Sequence, residues 1–358
     1  MTSLSLSGAR GWRPALQTFR RTAGRIGSVW RPAIGAVLTV ALAACSPKAA
    51  TSSASAASAS PDAPAAGAKV LRIGYQKSAT DLLLLKARGT LEKRLSSQGV
   101  RVSWSEFQFG PPLLEAVNAG SLDVGFVGEA PPIFAQAAGA NLVYIGYEPS
   151  APQAEGLLVP KTSTITSVAQ LKGKKIAVAK GSNTHYLVVK LLEKNGLKIT
   201  DIEPIYLAPA DARSAFESGK VDAWAIWDPF LATAEKQLGA RILADGSGVV
   251  GNYLFYLASR HYAETQPDTV RIFLEEVAQV DAWINAHHAE AAQQVAPILG
   301  IDASILQASL QRQRFGAQPV VPEVLADQQR VANTFQSLRL IPRQIDVTHS
   351  VVTAAPRS

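Results

Sequence analysis

The stretch VDAWAIWDPF, residues 221–230, is an apolar run of strand length that carries two tryptophans and stops at Asp-Pro. An earlier stretch, GSLDVGFVGEAPP at residues 120–132, lies in the same frame as GKVDAWAIWDP at residues 219–229. Gly120 falls on Gly219, Asp123 on Asp222 and Glu129 on Asp228. The match extends upstream. Helix-spaced PLLEAVNAG precedes LDVGFVG, and helix-spaced ARSAFESG precedes VDAWAIW. Further back, LRIGYQK and KKIAVAKGSN each read as a strand running into a helix. The chain therefore predicts an α/β fold made of two similar lobes.

Strands are predicted at VLRIGYQ, RVSWSEFQF, residues 122–127, LVYIGYE, KKIAVAK, IEPIYL, VDAWAIW and LFYLAS. Helical spacing falls between them, over residues 81–95, 112–119, 132–138, 184–195 and 211–218. Such alternation predicts parallel sheets covered by helices. After residue 254 the chain returns to strand and then to helices over 270–286, 289–299 and 322–337. The second lobe thus reads as inserted into the first. The expected boundaries are 70–158 plus 254–358 for lobe 1 and 159–253 for lobe 2. Two crossings, near 156–160 and 250–255, make a two-strand hinge with a cleft between the lobes, an arrangement that permits closure around a ligand.

The formal charge of +7 is unevenly placed: six of the charges are arginines within residues 1–44, which hold no acid or lysine. With the basicity confined to that segment, a nucleic-acid partner is not expected. The arginine-rich start leads into AIGAVLTVALAAC, an apolar run too short to span a bilayer and of signal-peptide length. It ends at Leu42-Ala43-Ala44-Cys45, which resembles the lipobox of bacterial lipoproteins, and Cys45 is the only cysteine. Residues 1–44 are read as a lipoprotein-type signal peptide and Cys45 as the lipidated residue. Residues 45–69, rich in Ala, Ser and Pro, form a flexible tether. The exported part has no second cysteine for a disulfide and must be held by its core.

In an open parallel sheet, ligands sit beyond the carboxyl ends of the strands. Four ends qualify, two from each lobe: Gln76-Lys77, Gly128-Glu129, Gly181-Ser182-Asn183 and Trp227-Asp228. KGSNTH, residues 180–185, joins a strand to a helix whose free N–H groups favour an anion. Ser182, Asn183 and Thr184 add side-chain donors there. They are also ordinary cap residues, and the position at a strand end weighs toward the anion. In VDAWAIWDP, alternation puts Trp224 and Trp227 on opposite faces. Trp224 is assigned to the core and Trp227 to a wall of the cleft. Asp228 before Pro229 reads first as a helix cap and second as a ligand contact, and Glu129 is open in the same way. Asp123 and Asp222 are read as structural. Of the two arginines in QRQRFG, Arg314 is expected in water and Arg312 is left open. No metal motif or nucleophile elbow is present in the sequence, and no cofactor is expected.

The segments LRIGYQK, EFQFGPPLLEAVNAGSLDVG, PPIFAQAAGANLVYIGYEP, LKGKKIAVAKGSN and LAPADARSAFESGKVDAWAIWDPF carry a resemblance. Over residues 70–345 the chain resembles the substrate-binding proteins of bacterial ABC importers for aliphatic sulfonates, within the sulfonate/nitrate/taurine group. The resemblance implies a type II periplasmic-binding-protein fold. It implies that the Gly181-Ser182-Asn183 turn holds the sulfonate head, with Gln76, Gly128, Glu129, Trp227 and Asp228 around it. It also implies a monomeric receptor at the periplasmic side of the envelope, lipid-anchored here, that passes its ligand to a permease and ATPase for sulfur acquisition. The alternatives are a binding protein for taurine, nitrate or a thiamine-pyrimidine precursor. An enzyme on the same fold is disfavoured, because such enzymes would need cysteines in the domain.

Overall fold

The computed structural model describes residues 69–351. The leader over 1–44, Cys45 and the tether before Lys69 lie outside the described residues. No helix among the described residues is long and apolar enough to cross a membrane.

The chain begins with β1 (Lys69–Gln76), α1 (Thr80–Arg88), α2 (Thr90–Ser96), β2 (Val100–Phe107), α3 (Gly110–Asn118), β3 (Val124–Gly128), α4 (Ala130–Ala137) and β4 (Leu142–Glu148). It continues with β5 (Glu155–Val159), β6 (Lys175–Val178), α5 (Asn183–Lys194), β7 (Glu203–Tyr206), α6 (Pro209–Glu217), β8 (Ala223–Trp227), α7 (Phe230–Leu238) and β9 (Arg241–Asp245). It ends with β10 (Leu254–Ser259), α8 (Arg260–Thr265), α9 (Pro267–Ala286), α10 (His288–Leu299), α11 (Ala303–Arg312) and α12 (Pro322–Ser337). The single helix expected over 81–95 is two, because Gly89 takes a left-handed φ of 64° and its N–H closes α1 onto Leu85 O.

Two five-stranded sheets result, ordered β2-β1-β3-β10-β4 and β7-β6-β8-β5-β9. They are mixed, where the sequence predicted parallel sheets. β10 runs antiparallel to β3 and β4, and β5 runs antiparallel to β8 and β9. The reason is topological. These two strands arrive from the other lobe, with no crossover helix to reverse the chain, so they enter the sheet backwards. The expected boundary at 158/159 falls inside β5, which pairs wholly with the second sheet. The crossings lie instead at 149–154 and 246–253, between β4 and β5 and between β9 and β10.

Each sheet is buried on both faces. Leu71, Ile73 and Tyr75 of β1 point into a core completed by Leu82, Leu85, Phe273, Val277 and Ile284 from the helices. In the second sheet, Ala223 and Ala225 of β8 pack with Leu187 and Leu191 of α5. Trp224 and Ile226 pack on the other side with Phe216 of α6, following the strand's alternation. A further cluster joins the lobes: Tyr186 of α5 packs with Ile133 of α4 and Phe335 of α12. Phe109, before α3, packs into the second lobe's Trp227 cluster. The lobes are therefore closed on one another.

Candidate ligand-binding site

The repeat seen in the sequence has a common geometry. Asp123 accepts the Arg72 N–H at 2.8 Å, and Asp222 accepts the Lys175 N–H at 2.8 Å. Each aspartate thus pins the loop before its strand to the strand beside it, the structural role expected of both. This anchoring sends β3 and β8 toward the gap between the lobes, and their carboxyl ends meet there.

A cleft of about 600 Å³, partly open to solvent, lies at that meeting. Gln76, Gly128, Asn183, Trp227 and Asp228 line it, so five of the nine expected residues come together. Gln76 is buried and donates its amide to Phe126 O at 3.0 Å, which fixes its orientation at the end of β1. Gly128 is required by close approach: a Cβ there would stand 2.4 Å from Asn183 Oδ1. Asn183, at the first turn of α5, crosses from one lobe to the other at this point. Its Nδ2 donates to Glu155 Oε2 at 2.9 Å and to Asn252 Oδ1 at 2.8 Å.

Gly181, Ser182, Thr184 and Glu129 are not among the lining residues. Ser182 is a cap: its hydroxyl donates to Ala179 O at 2.7 Å and accepts the His185 N–H at 3.3 Å. Thr184 is buried with its Oγ1 3.0 Å from Ser182 Oγ. Gly181 takes a φ of 76°, which lets the chain turn into α5 against Phe134 and Pro111. Glu129 faces the opposite way, toward Tyr186, Gly251 and Arg330. It accepts the Tyr253 N–H at 3.2 Å, and burial pushes its carboxyl up to about 7. Burial and the neighbouring Glu129 likewise raise Glu155 well above the usual carboxylate range. His185 is buried beside Phe134 and Phe335, and desolvation lowers it to about 4, so it is neutral near pH 7.

Trp224 is fully buried against Phe216, centroid to centroid 5.8 Å, as core. Trp227 lines the cavity as expected. Its ring does not take the opposite face, however. Alternation stops at the strand end, and the indole packs edge-on to Phe230 at 6.4 Å within the cluster that holds Trp224. Asp228 accepts the Ala232 N–H at 3.0 Å, the cap reading preferred from sequence. It is also gripped by Arg312, with Nε to Oδ2 at 2.8 Å and Nη2 to Oδ1 at 2.9 Å. Arg312 further reaches Glu235 Oε2 at 2.7 Å. The arginine left open by sequence thus ties α11 to α7 rather than lining the cavity. Burial pushes Asp228 up to about 6 against the pull of Arg312.

Several lining residues were not foreseen: Ser78, Asp81, Glu148, Gln313, Arg314 and Phe315. Arg314 was expected in water. It is exposed yet borders the cavity, and its Nη1 donates to Gln313 O at 2.9 Å. Asp81 and Glu148 are buried, and both accept or share a hydrogen bond with Tyr256 Oη at 2.5 Å. No sequence motif marks these residues; an acid at a strand end, as in LVYIGYE, was the one available signal.

Comparison with known proteins follows this geometry. Residues 96–291 match the family described as NMT1/THI5 like. The chain is 44% identical over 284 residues to the "Putative aliphatic sulfonates-binding protein" of Escherichia coli (strain K12), covering 79% of this chain and 88% of that one. It is 27% identical over 225 residues to the "Taurine-binding periplasmic protein" of the same organism, covering 59% and 68%. Among solved structures it is similar to the alkanesulfonate-binding protein SsuA from Xanthomonas axonopodis pv. citri bound to MOPS. That likeness has a TM-score of 0.77 and 41% identity, over 81% of this chain and 100% of that chain. On these matches the chain belongs to the aliphatic sulfonate-binding proteins of the NMT1/THI5-like family.

Proposed function

We propose that this chain is an extracytoplasmic receptor that closes its two lobes on an aliphatic sulfonate and delivers it to an ABC importer for sulfur acquisition. The observation that carries the reading is the cleft at the meeting of the strand ends, with Asn183 reaching from one lobe to within contact of Gly128 on the other. A sulfonate is a monoanion across physiological pH and only accepts hydrogen bonds. Fixed donors therefore suit it, each charge-assisted bond contributing about 1.5–3 kcal/mol. The first-turn N–H groups of α5, Ser78 and the Arg314 guanidinium are the donors assigned to the head. Ser182, spent in its cap, shapes the turn rather than touching the ligand. Trp227 is assigned to the carbon chain. The Cys45 lipid holds the receptor at the periplasmic face of the membrane, where the permease and ATPase are its partners.

Calorimetric titration of the purified protein with methanesulfonate, hexanesulfonate, sulfate and nitrate tests this. The sulfonates are expected to bind near micromolar affinity, about −8 kcal/mol, without being turned over. Binding of nitrate or sulfate in preference, or consumption of the sulfonate, would overturn the reading.

A further inference from the structure

Helix α11 belongs to lobe 1 and helix α7 to lobe 2. Leu306 and Leu310 of α11 sit in one core with Leu71 and Ile73 of β1. Leu231 and Ala234 of α7 pack with Trp224 and Trp227 of β8. Arg312, the last residue of α11, reaches into the second lobe with all three guanidinium nitrogens. Nε and Nη2 hold the two carboxylate oxygens of Asp228 at 2.8 Å and 2.9 Å, and Nη1 holds Glu235 Oε2 at 2.7 Å. Among the described residues, these are the only ion pairs that join one lobe to the other. The rest, such as Arg72 with Asp123, Arg94 with Glu276 and Arg213 with Glu217, stay within a lobe.

This grip is not an ordinary surface pair. The Asp228 side chain is 1% exposed and that of Arg312 19%, so water and salt screen the contact little. Its two-pronged geometry is the strong form of a guanidinium–carboxylate bond. With the lobes apart, Asp228 would keep the Ala232 N–H of its own helix, and Arg312 would return to water. Arg312 does not line the cleft, whereas the three residues that follow it, Gln313, Arg314 and Phe315, do. The contact therefore lies beside the ligand's space and not in it. A contact made only when the lobes meet biases the equilibrium between open and closed forms. The apparent affinity for a ligand scales with the population of the form that holds it.

We propose that Arg312 is the latch between the lobes: a positioning residue that grips Asp228 and Glu235 across the gap, holds the closed form, and so sets how long any sulfonate is retained without touching it. The inference rests on the sulfonate reading above. The latch contributes equally whatever the ligand's tail, because it meets no part of the tail. It acts on release more than on entry, since the grip forms after the ligand is in and must break before the ligand leaves. It also needs the arginine fork. A lysine offers one compact ammonium, which cannot hold both oxygens of Asp228 and reach Glu235 as well.

Stopped-flow tryptophan fluorescence with methanesulfonate, butanesulfonate and octanesulfonate tests this. It measures association and dissociation rates for wild type, Arg312→Met, Arg312→Lys and Glu235→Gln. Arg312→Met is expected to release all three ligands faster by the same factor, about tenfold or more, with association changed by less than about twofold. Arg312→Lys should fall between it and wild type. Glu235→Gln, which removes only the more exposed arm, should speed release by about threefold. An arginine that merely props up lobe 1 would lower the melting temperature of the empty protein and leave the release rates alone. Unchanged release rates in Arg312→Met would therefore overturn the latch. So would a loss that grows with tail length, which would put the effect of the arginine in the cleft wall. If Arg312→Met fails to fold, Glu235→Gln decides by the same rates, because Glu235 does not line the cleft. Failure of every sulfonate to bind wild type would instead bring down the reading on which the latch rests.

Discussion

In the first lobe Asp123 holds the Arg72 N–H, and in the second Asp222 holds the Lys175 N–H, both at 2.8 Å. Gly120 and Gly219 precede them with φ of 74° and 68°, the same left-handed turn after the same helix. Up to there the lobes are copies. They part at the carboxyl ends of β3 and β8, where Gly128 stands in the frame of Trp227 and Glu129 in that of Asp228. Gly128 removes a side chain so that Asn183 can come in; Trp227 adds the largest one, as a wall. Glu129 turns away from the cavity toward the crossing, where it accepts the Tyr253 N–H, whereas Asp228 is clamped from outside by Arg312. The shared part of the repeat builds the scaffold. The positions at which the copies disagree build the site.

That contrast breaks most visibly at the tryptophans of β8. Trp224→Ala is expected to destabilise the protein by about 3–5 kcal/mol, because a fully buried ring leaves a void among Phe216 and Ile226. Trp227→Ala opens a cavity that already exists, so its melting temperature should fall by clearly less. Thermal unfolding of both variants checks this, and an equal or larger fall for Trp227→Ala would erase the distinction between core and wall.

A smaller effect separates the two acids. Glu129 is held up to about 7 by burial, above its usual value of 4.5. A carboxyl raised in the folded state costs nothing below its unfolded pKa, and its penalty grows as pH rises between the two values. Glu129→Gln should therefore leave stability near pH 5 almost unchanged and raise it at pH 8 by up to about 3 kcal/mol. Asp228→Asn should do the opposite at pH 8, since it removes the two-pronged carboxylate contact of Arg312 and leaves that arginine only Glu235. Denaturant titrations at both pH values check the signs.

The two-lobe plan was legible because the strand–helix rhythm and the 120–132 and 219–229 frames are local patterns. The strand ends named from them supplied Gln76, Gly128, Asn183, Trp227 and Asp228 to the cavity. What the pattern hid follows from its local nature. β10 reads as an ordinary strand and β5 only as part of a crossing, and nothing in either segment's own residues says that it enters a sheet from the other lobe. β9 is a half-buried strand at the sheet edge and α11 a ten-residue helix, both too weakly patterned to stand out. Ser182 carries the chemistry of an anion donor and of a cap alike, and only its partner at Ala179 O separates them. Arg314, Asp81 and Glu148 come from three distant segments and meet only by tertiary packing.

The claim that the lobes close on a sulfonate at the two disagreeing positions is tested most directly by one calorimetric series. Methane-, butane- and octanesulfonate are titrated into wild type, Trp227→Ala and Gly128→Ala. Trp227→Ala should lose little with methanesulfonate and progressively more with the longer tails, following the about 25 cal/mol lost per Å² of apolar surface no longer covered. Gly128→Ala should lose a constant amount, about tenfold or more for every ligand, because its methyl pushes against Asn183 and holds the lobes apart whatever the tail. Unchanged affinity in Gly128→Ala, or a loss in Trp227→Ala that does not grow with tail length, would contradict the account.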